Sequence, residues 1–402
     1  MNMTALETND SNLTLRDLIA QEIAKTPEQR ITFAKYMEWV LYHPQHGYYS
    51  TNQVKIGAKG DFVTSPHLGA DFGELLAEQF AEMWQILQHP TPFTLIEMGA
   101  GQGLMVQDVL RYLHRHHFEC FEALRYVVVE KSSALVAEQQ QRLAKLSQSW
   151  GNLSWQTLNE ILPESVVGCC FSNELVDAFP VHQLVIEANQ LQEVYVTVDQ
   201  KGNFTEVVGE LSTPTLASYF DWVGVDLPSD KYPNGYRTEV NLAALDWMRA
   251  IATRLQRGYL LTIDYGYPAN RYYSPSRTQG TLQCYYQHTH HSNPYIQVGQ
   301  QDLTAHVDFT ALERQGELSE LQTVGFTQQG LFLMSLGLGD RLSALSAPTS
   351  DLSLQATLQR REALHSLMNP MGLGNFGVLI QSKGLSEEER GRSLKGLRMP
   401  SL

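Results

Sequence analysis

The sequence predicts a doubly wound α/β domain with an N-terminal helical extension, and three features of the chain carry that expectation. From Phe93 onward, short continuous apolar runs alternate with helical stretches. The runs YVVVE (Tyr126–Glu130), VVGCCF (Val166–Phe171) and YLLTID (Tyr259–Asp264) are apolar throughout, which suits parallel strands covered on both faces. The first run, Phe93–Met98, enters a glycine-rich turn that opens a helix, the arrangement found at the ligand crevice of such sheets.

Each element follows from its residues in order. Thr14 and Asp17 form a capping-box-like start to a helix whose apolar stripe is Leu15, Leu18, Ile19 and Ile23. A second helix follows Thr32, with Phe33, Tyr36, Met37, Val40 and Leu41 on one face, and stops before Pro44. A third carries Phe72, Leu75, Leu76, Phe80 and Met83; these helices and a Gly- and aromatic-rich loop make the extension, residues 1–90. The main domain, 91–383, continues with a helix bearing Val106, Val109, Leu110 and Leu113, and ends on a strand at Phe376–Ser382. Two segments exceed what a crossover needs. In 180–257, Val181–Val198 alternates as a β-hairpin and Asn241–Leu255 reads as a helix; 266–310 is Tyr-, His- and Gly-rich with little periodicity. The charged stretch 384–402 reads as a flexible tail.

Composition narrows the function. With 29 Lys+Arg against 43 Asp+Glu the net charge is −14, which disfavours nucleic acid as a partner. No run of 18 apolar residues occurs, so no membrane span is expected. The first residues show neither a signal nor a transit pattern, and Cys120, Cys169, Cys170 and Cys284 form neither a disulfide framework nor a zinc motif. The expected setting is a reducing cytoplasm. A homodimer is compatible with the chain but nothing in the sequence declares it.

The turn after the first strand reads Glu97-Met98-Gly99-Ala100-Gly101-Gln102-Gly103, and the next strand ends in Glu130. Glycines let backbone approach a ligand, and a strand-end carboxylate can accept ribose hydroxyls. A dinucleotide fingerprint would need glycine where this chain has Leu104. The pattern suits S-adenosylmethionine, which has no pyrophosphate to cradle. After the fourth strand come Asn173, Glu174 and Asp177. Carboxylates at this place could orient a guanidinium for in-line methyl transfer, with Glu174 and Asp177 as candidate catalytic residues; they also suit a helix N-terminus.

In one order the chain contains GDFVTSP (Gly60–Pro66), FGELLAE (Phe72–Glu78), IEMGAGQG (Ile96–Gly103), NELVDAFPVH (Asn173–His182), IDYGY (Ile263–Tyr267) and DLTAHVDFTAL (Asp302–Leu312). Together these segments resemble the MidA-like methyltransferases, the family of the mitochondrial complex I assembly-factor methyltransferase. The resemblance implies a Rossmann-like class I fold, S-adenosyl-L-methionine as cofactor, and methylation of arginine on a protein substrate such as a respiratory complex I-type subunit. Carried over residue by residue, Glu97, Gly99, Gly101 and Gly103 take the cofactor-loop positions and Glu130 the ribose-binding acid, while Asn173 and Glu174 match the segment after the fourth strand. His67 is a departure, standing where eukaryotic members carry Glu.

Weaker signals lie around these. Asp61, Thr64 and Ser65 could cover the cofactor and exclude water, or form a packed turn. Asp264 and Tyr265 end the fifth strand and should border the crevice; His306 and Asp308, with Asp302, lie in the last motif and are candidate substrate contacts. His288, His290, His291 and His306 lack metal-ligand spacing, so no metal is expected. Two other functions stay open: a catalytically silent assembly chaperone on the same fold, and a nicotinamide-dependent oxidoreductase, against which Leu104 argues.

Overall fold

The computed structural model describes residues 12–51, 64–287, 289–345 and 353–398. The chain divides into two compact units, neither of them contiguous: one comprises 1–62, 176–246 and 267–311, the other 63–175, 247–266 and 312–402.

The second unit is built on a seven-stranded sheet. Its strands in chain order are β1 (Phe93–Met98), β2 (Leu124–Val129), β3 (Leu153–Gln156), β4 (Val166–Asn173), β5 (Leu255–Asp264), β6 (Gln322–Gln328) and β7 (Gly377–Lys383). Across the sheet they run β3-β2-β1-β4-β5-β7-β6, with β7 antiparallel to both of its neighbours and the rest parallel. The order reverses at β1: the chain steps outward one way through β2 and β3, then the other way through β4 and β5. Right-handed crossovers therefore place connections on opposite faces, and the reversal opens a crevice beyond the C-terminal ends of β1 and β4. This is the doubly wound sheet anticipated above, with one antiparallel strand, β7, inserted between β5 and β6.

Apolar faces lock the unit together. The helix Asp71–Ile86 buries Phe72, Leu75, Leu76, Phe80 and Met83, and Phe80 meets Phe171 of β4 with ring centroids 4.8 Å apart. The helix Leu104–His116 buries Met105, Val106, Val109, Leu110 and Leu113 in the same core. In mid-sheet Gly168 has φ +151°, and a Cβ there would lie 2.0 Å from the carbonyl oxygen of Thr94 on β1. Only glycine fits that row.

The other unit has its own sheet, in which Gln190–Val198 pairs with Ile31–Thr32, His182–Glu187 and Phe204–Gly209, and His182–Glu187 pairs with Arg237–Val240. The expected hairpin is there, its strands joined by Ala188 and Asn189, both at positive φ as a two-residue turn of matching twist requires. Buried carboxylates stiffen this unit. Glu239 accepts from the Thr281 amide at 2.9 Å, the Thr281 hydroxyl at 3.0 Å and the Tyr272 hydroxyl at 3.3 Å.

Four expectations need correction. The first helix, Leu13–Lys25, is capped by Asn12, whose side chain accepts from the Leu15 amide; Thr14 lies inside the helix. The helical extension does not end at residue 90: helix Asp71–Ile86 belongs with the seven-stranded sheet, while the first two helices group with the two long insertions. The segment 266–310 is not irregular but contains a small sheet of Gln283–Tyr286, Thr289–His291 and Asp302–Thr304. The tail packs through residue 398. Leu394 is fully buried, the Lys395 amide donates to Glu82 at 2.6 Å and the Gly396 amide donates to Gln79 at 2.9 Å. Its charges are paired: Ser386 and Glu389 form a capping box, and Arg398 pairs with Glu82 of the helix Asp71–Ile86.

Candidate functional site

Glu97, the three turn glycines, Glu130, Asn173 and Glu174 belong to the second unit. The glycine turn leaves β1 with Gly99, Gly101 and Gly103 at φ +71°, +52° and +74°. These left-handed conformations carry a steric cost for side chains with a Cβ, and a Cβ on Gly99 would also lie 2.7 Å from Leu175. The turn is pinned by the Gly99 amide donating to Val129 at 3.0 Å and the Gly103 amide donating to Ala100 at 2.8 Å.

Glu97, one residue before the end of β1, is almost completely buried. One carboxylate oxygen accepts from the Tyr126 hydroxyl; the other, Oε1, is buried with no hydrogen-bond partner among the described residues. Burial pushes its pKa up to about 7; the neighbouring Glu130 charge adds to the rise and the Tyr126 hydrogen bond opposes it. Glu130, just past β2, has one oxygen held by the Ser132 amide at 3.0 Å, and burial raises its pKa as well.

After β4 the backbone turns sharply at Glu174, a non-glycine residue at φ +51°. Such strain is held by surrounding structure and concentrates at functional positions. Here the Glu174 amide donates to Ile263 of β5 at 2.9 Å. Its Oε1 accepts from the Ser65 amide at 3.1 Å and from the Asn173 side-chain amide at 3.0 Å. Asn173 Oδ1 is buried with no partner among the described residues.

Thr64 and Ser65 open a short turn, Ser65–Leu68, that is tied to the crevice at three points. Besides the bond to Glu174, the Ser65 hydroxyl meets the Gln329 side chain at 3.2 Å. His67 sits between the Thr64 hydroxyl at 2.7 Å and the Gln102 side-chain oxygen at 3.1 Å, and Gln102 is itself in the glycine turn. His67 thus braces the loop; burial lowers its pKa, so it is neutral at physiological pH.

The remaining candidates lie at the end of β5 or belong to the other unit. Asp264 is fully buried, and its oxygens accept from the Leu175 amide at 3.2 Å and the Tyr265 amide at 2.9 Å, which ties the end of β5 to the turn after β4. The Tyr265 ring packs on Phe376 at 5.4 Å. Asp177, His306 and Asp308 belong to the other unit. Asp177 is buried, and its carbonyl oxygen accepts from Ala305. Asp308 is buried and accepts from the Tyr219 hydroxyl at 3.0 Å and the Ala311 amide at 3.2 Å, which makes it a helix cap; burial raises its pKa to about 6. His306 lies against Tyr267, and burial pushes its pKa down to about 4. His290 and His291 lie on the strand Thr289–His291, whereas Asp61 and His288 are outside the described residues. Sequence reasoning missed Tyr126, Gln139 and Gln329. Gln139 carried a signal: it lies four residues from Leu135 and from Leu143, at a core-facing helical position.

The family model of S-adenosyl-L-methionine-dependent methyltransferases, Methyltransf_28, matches residues 75–327, more than half of the chain. The chain belongs to this family. A protein of Burkholderia thailandensis crystallised with S-adenosyl-homocysteine is 31% identical and superposes with a TM-score of 0.85, over 97% of this chain and 96% of the other. The mitochondrial protein arginine methyltransferase NDUFAF7 of Rattus norvegicus is 28% identical over 388 residues, 90% of this chain and 83% of its own. Its Drosophila melanogaster homologue is 29% identical over 342 residues, 79% of this chain and 74% of its own.

The cofactor of this methyltransferase is therefore S-adenosyl-L-methionine, and the residues present fit it. Glu97 offers an unpartnered buried carboxylate oxygen to a cationic ligand, the three glycines leave the turn's backbone open to close approach, and Glu130 presents acceptors of fixed orientation. Bound there, the cofactor supplies an electrophilic methyl group on a sulfonium.

Proposed function

We propose that the protein methylates arginine on a protein substrate, with Glu174 holding the guanidinium. The observation that carries this reading is Glu174 itself, a carboxylate set on strained backbone at the end of β4, in the same unit as the glycine turn. Support comes from the relatives named protein arginine methyltransferases. The family resemblance adds a respiratory complex I-type subunit as the candidate target. Four free, buried cysteines suit work in a reducing cytoplasm.

In this reading a guanidinium nitrogen would take the methyl group in line, the N–C bond forming as the C–S bond breaks, with that bond's electron pair left on the thioether sulfur and the nitrogen's proton passing to solvent. Positive charge grows on the guanidinium as that bond forms. A carboxylate fixed in advance stabilises it at little reorganisation cost. Asn173, whose amide holds Glu174, would steady both that carboxylate and the cofactor's reactive end. The turn bearing Thr64 and Ser65 would cover the crevice and exclude water.

Single-turnover methylation of an arginine-containing subunit, with cofactor saturating, tests the proposal. Glu174→Gln should slow transfer by about 10²–10³-fold, the typical worth of one transition-state electrostatic contact. S-adenosyl-homocysteine affinity should stay within a few-fold. A wild-type rate in that variant removes Glu174 from the chemistry; label appearing on a small metabolite instead of protein removes the substrate class; a wild-type chain that binds cofactor but transfers nothing supports a silent chaperone.

A further inference from the structure

One buried amide connects three parts of the cofactor site. Gln139 projects from the helix Ser133–Trp150 and is fully buried. Its side-chain nitrogen donates to the Gly101 carbonyl at 2.8 Å and reaches Glu130 Oε2 at 3.5 Å. Its oxygen accepts from the indole nitrogen of Trp155, on β3, at 3.0 Å. The orientation of the amide is not arbitrary. An indole nitrogen can only donate, whereas a carbonyl and a carboxylate can only accept. Trp155 must therefore face the oxygen of Gln139, which turns both N–H groups toward Gly101 and Glu130.

We propose that Gln139 is a positioning residue that sets how the site recognises the cofactor's ribose. Glu130 is held by the Ser132 amide on one oxygen and by Gln139 on the other, and the Lys131 backbone also donates to it. Together they fix the plane of its carboxylate. Through Gly101 the same side chain fixes the turn opposite that carboxylate. Trp155 acts one step further out by preventing the amide from flipping. Nothing in this arrangement contacts the methyl group; the effect is on which ligands bind.

The test is calorimetric binding of S-adenosyl-homocysteine and of its 2′,3′-dideoxyribose analogue. A hydrogen bond to a charged group is worth roughly 10- to 100-fold in affinity, so the wild-type protein should prefer the ribose ligand by about that ratio. Gln139→Met should cut the ratio by about tenfold, because Glu130 and the Gly101 turn both lose the anchor this side chain supplies while the charge of Glu130 remains. Trp155→Phe should act in the same direction more weakly. The double variant Gln139→Met/Trp155→Phe strands no buried donor, and serves if the single Gln139 change fails to fold. A purely structural role would weaken both ligands equally and leave their ratio unchanged; that result in any folded variant lacking Gln139, or in folded Trp155→Phe if none folds, overturns the proposal. Wild-type protein that binds neither ligand overturns the cofactor assignment along with it.

Discussion

Glu97 illustrates how much one buried group can set. In the ligand-free fold it keeps a proton to about pH 7, mainly because burial penalises its charge. Between the ordinary carboxylate range and about pH 7 the folded chain holds a proton that the unfolded chain has released. Its contribution to stability is thus full at low pH and is lost as pH rises through about 7. A cationic cofactor favours the ionised form. Titration near pH 6 in buffers of differing ionisation enthalpy should show proton release on binding, and Glu97→Gln should abolish that release. Equal proton release in the variant would assign it to another group. At this scale the sequence was legible where a residue type has one plausible use: the glycines, and the strand-end Glu130. Tyr126 and Gln139 were not, because each is a polar residue inside an apolar pattern whose partner depends on register between neighbouring strands. The surroundings of Asp264 and Asp308 were not legible either: backbone amides hold Asp264, while the Tyr219 hydroxyl and the Ala311 amide hold Asp308, and none of these partners is a neighbour that a sequence pattern marks.

Elements were legible in proportion to their periodicity. The long apolar runs became the sheet strands, and the amphipathic stripes became helices within a few residues of their expected limits. Strands of three or four residues in 266–310 carry too little pattern to be read, and the small sheet there closes by pairing across the segment. Gly168 is the position where an element is most constrained. In the sequence it is a lone glycine in an apolar strand; in the sheet it sits against the Thr94 carbonyl, with Gly258 of β5 on its other side. Adding a single methyl group forces β1 and β4 apart at a φ that other residues avoid. Gly168→Ala should therefore cost at least about 2–3 kcal/mol in urea unfolding. A change below about 0.5 kcal/mol would mean the strands relax freely there.

The division of the whole molecule was the least legible feature, since it depends on segments far apart in sequence that only packing brings together. The C-terminal stretch shows the same limit: its charges suggested solvent, but Leu394 and two backbone amides dock it onto the helix Asp71–Ile86. Deleting residues 392–402 should destabilise the protein by about 2–5 kcal/mol, the usual cost of removing one buried leucine, and lower the urea midpoint accordingly. An unchanged midpoint would make that stretch dispensable. The strand order has a consequence for how the protein is made. β5 lies beside β7, and roughly a hundred residues separate them along the chain. At about 5–20 residues per second, a nascent chain carries β5 with one bare edge for several seconds before β7 emerges from the ribosome. During that interval the edge can pair with another chain, so synthesis speed and chaperone supply should govern yield of this protein more than the stability of the finished fold does.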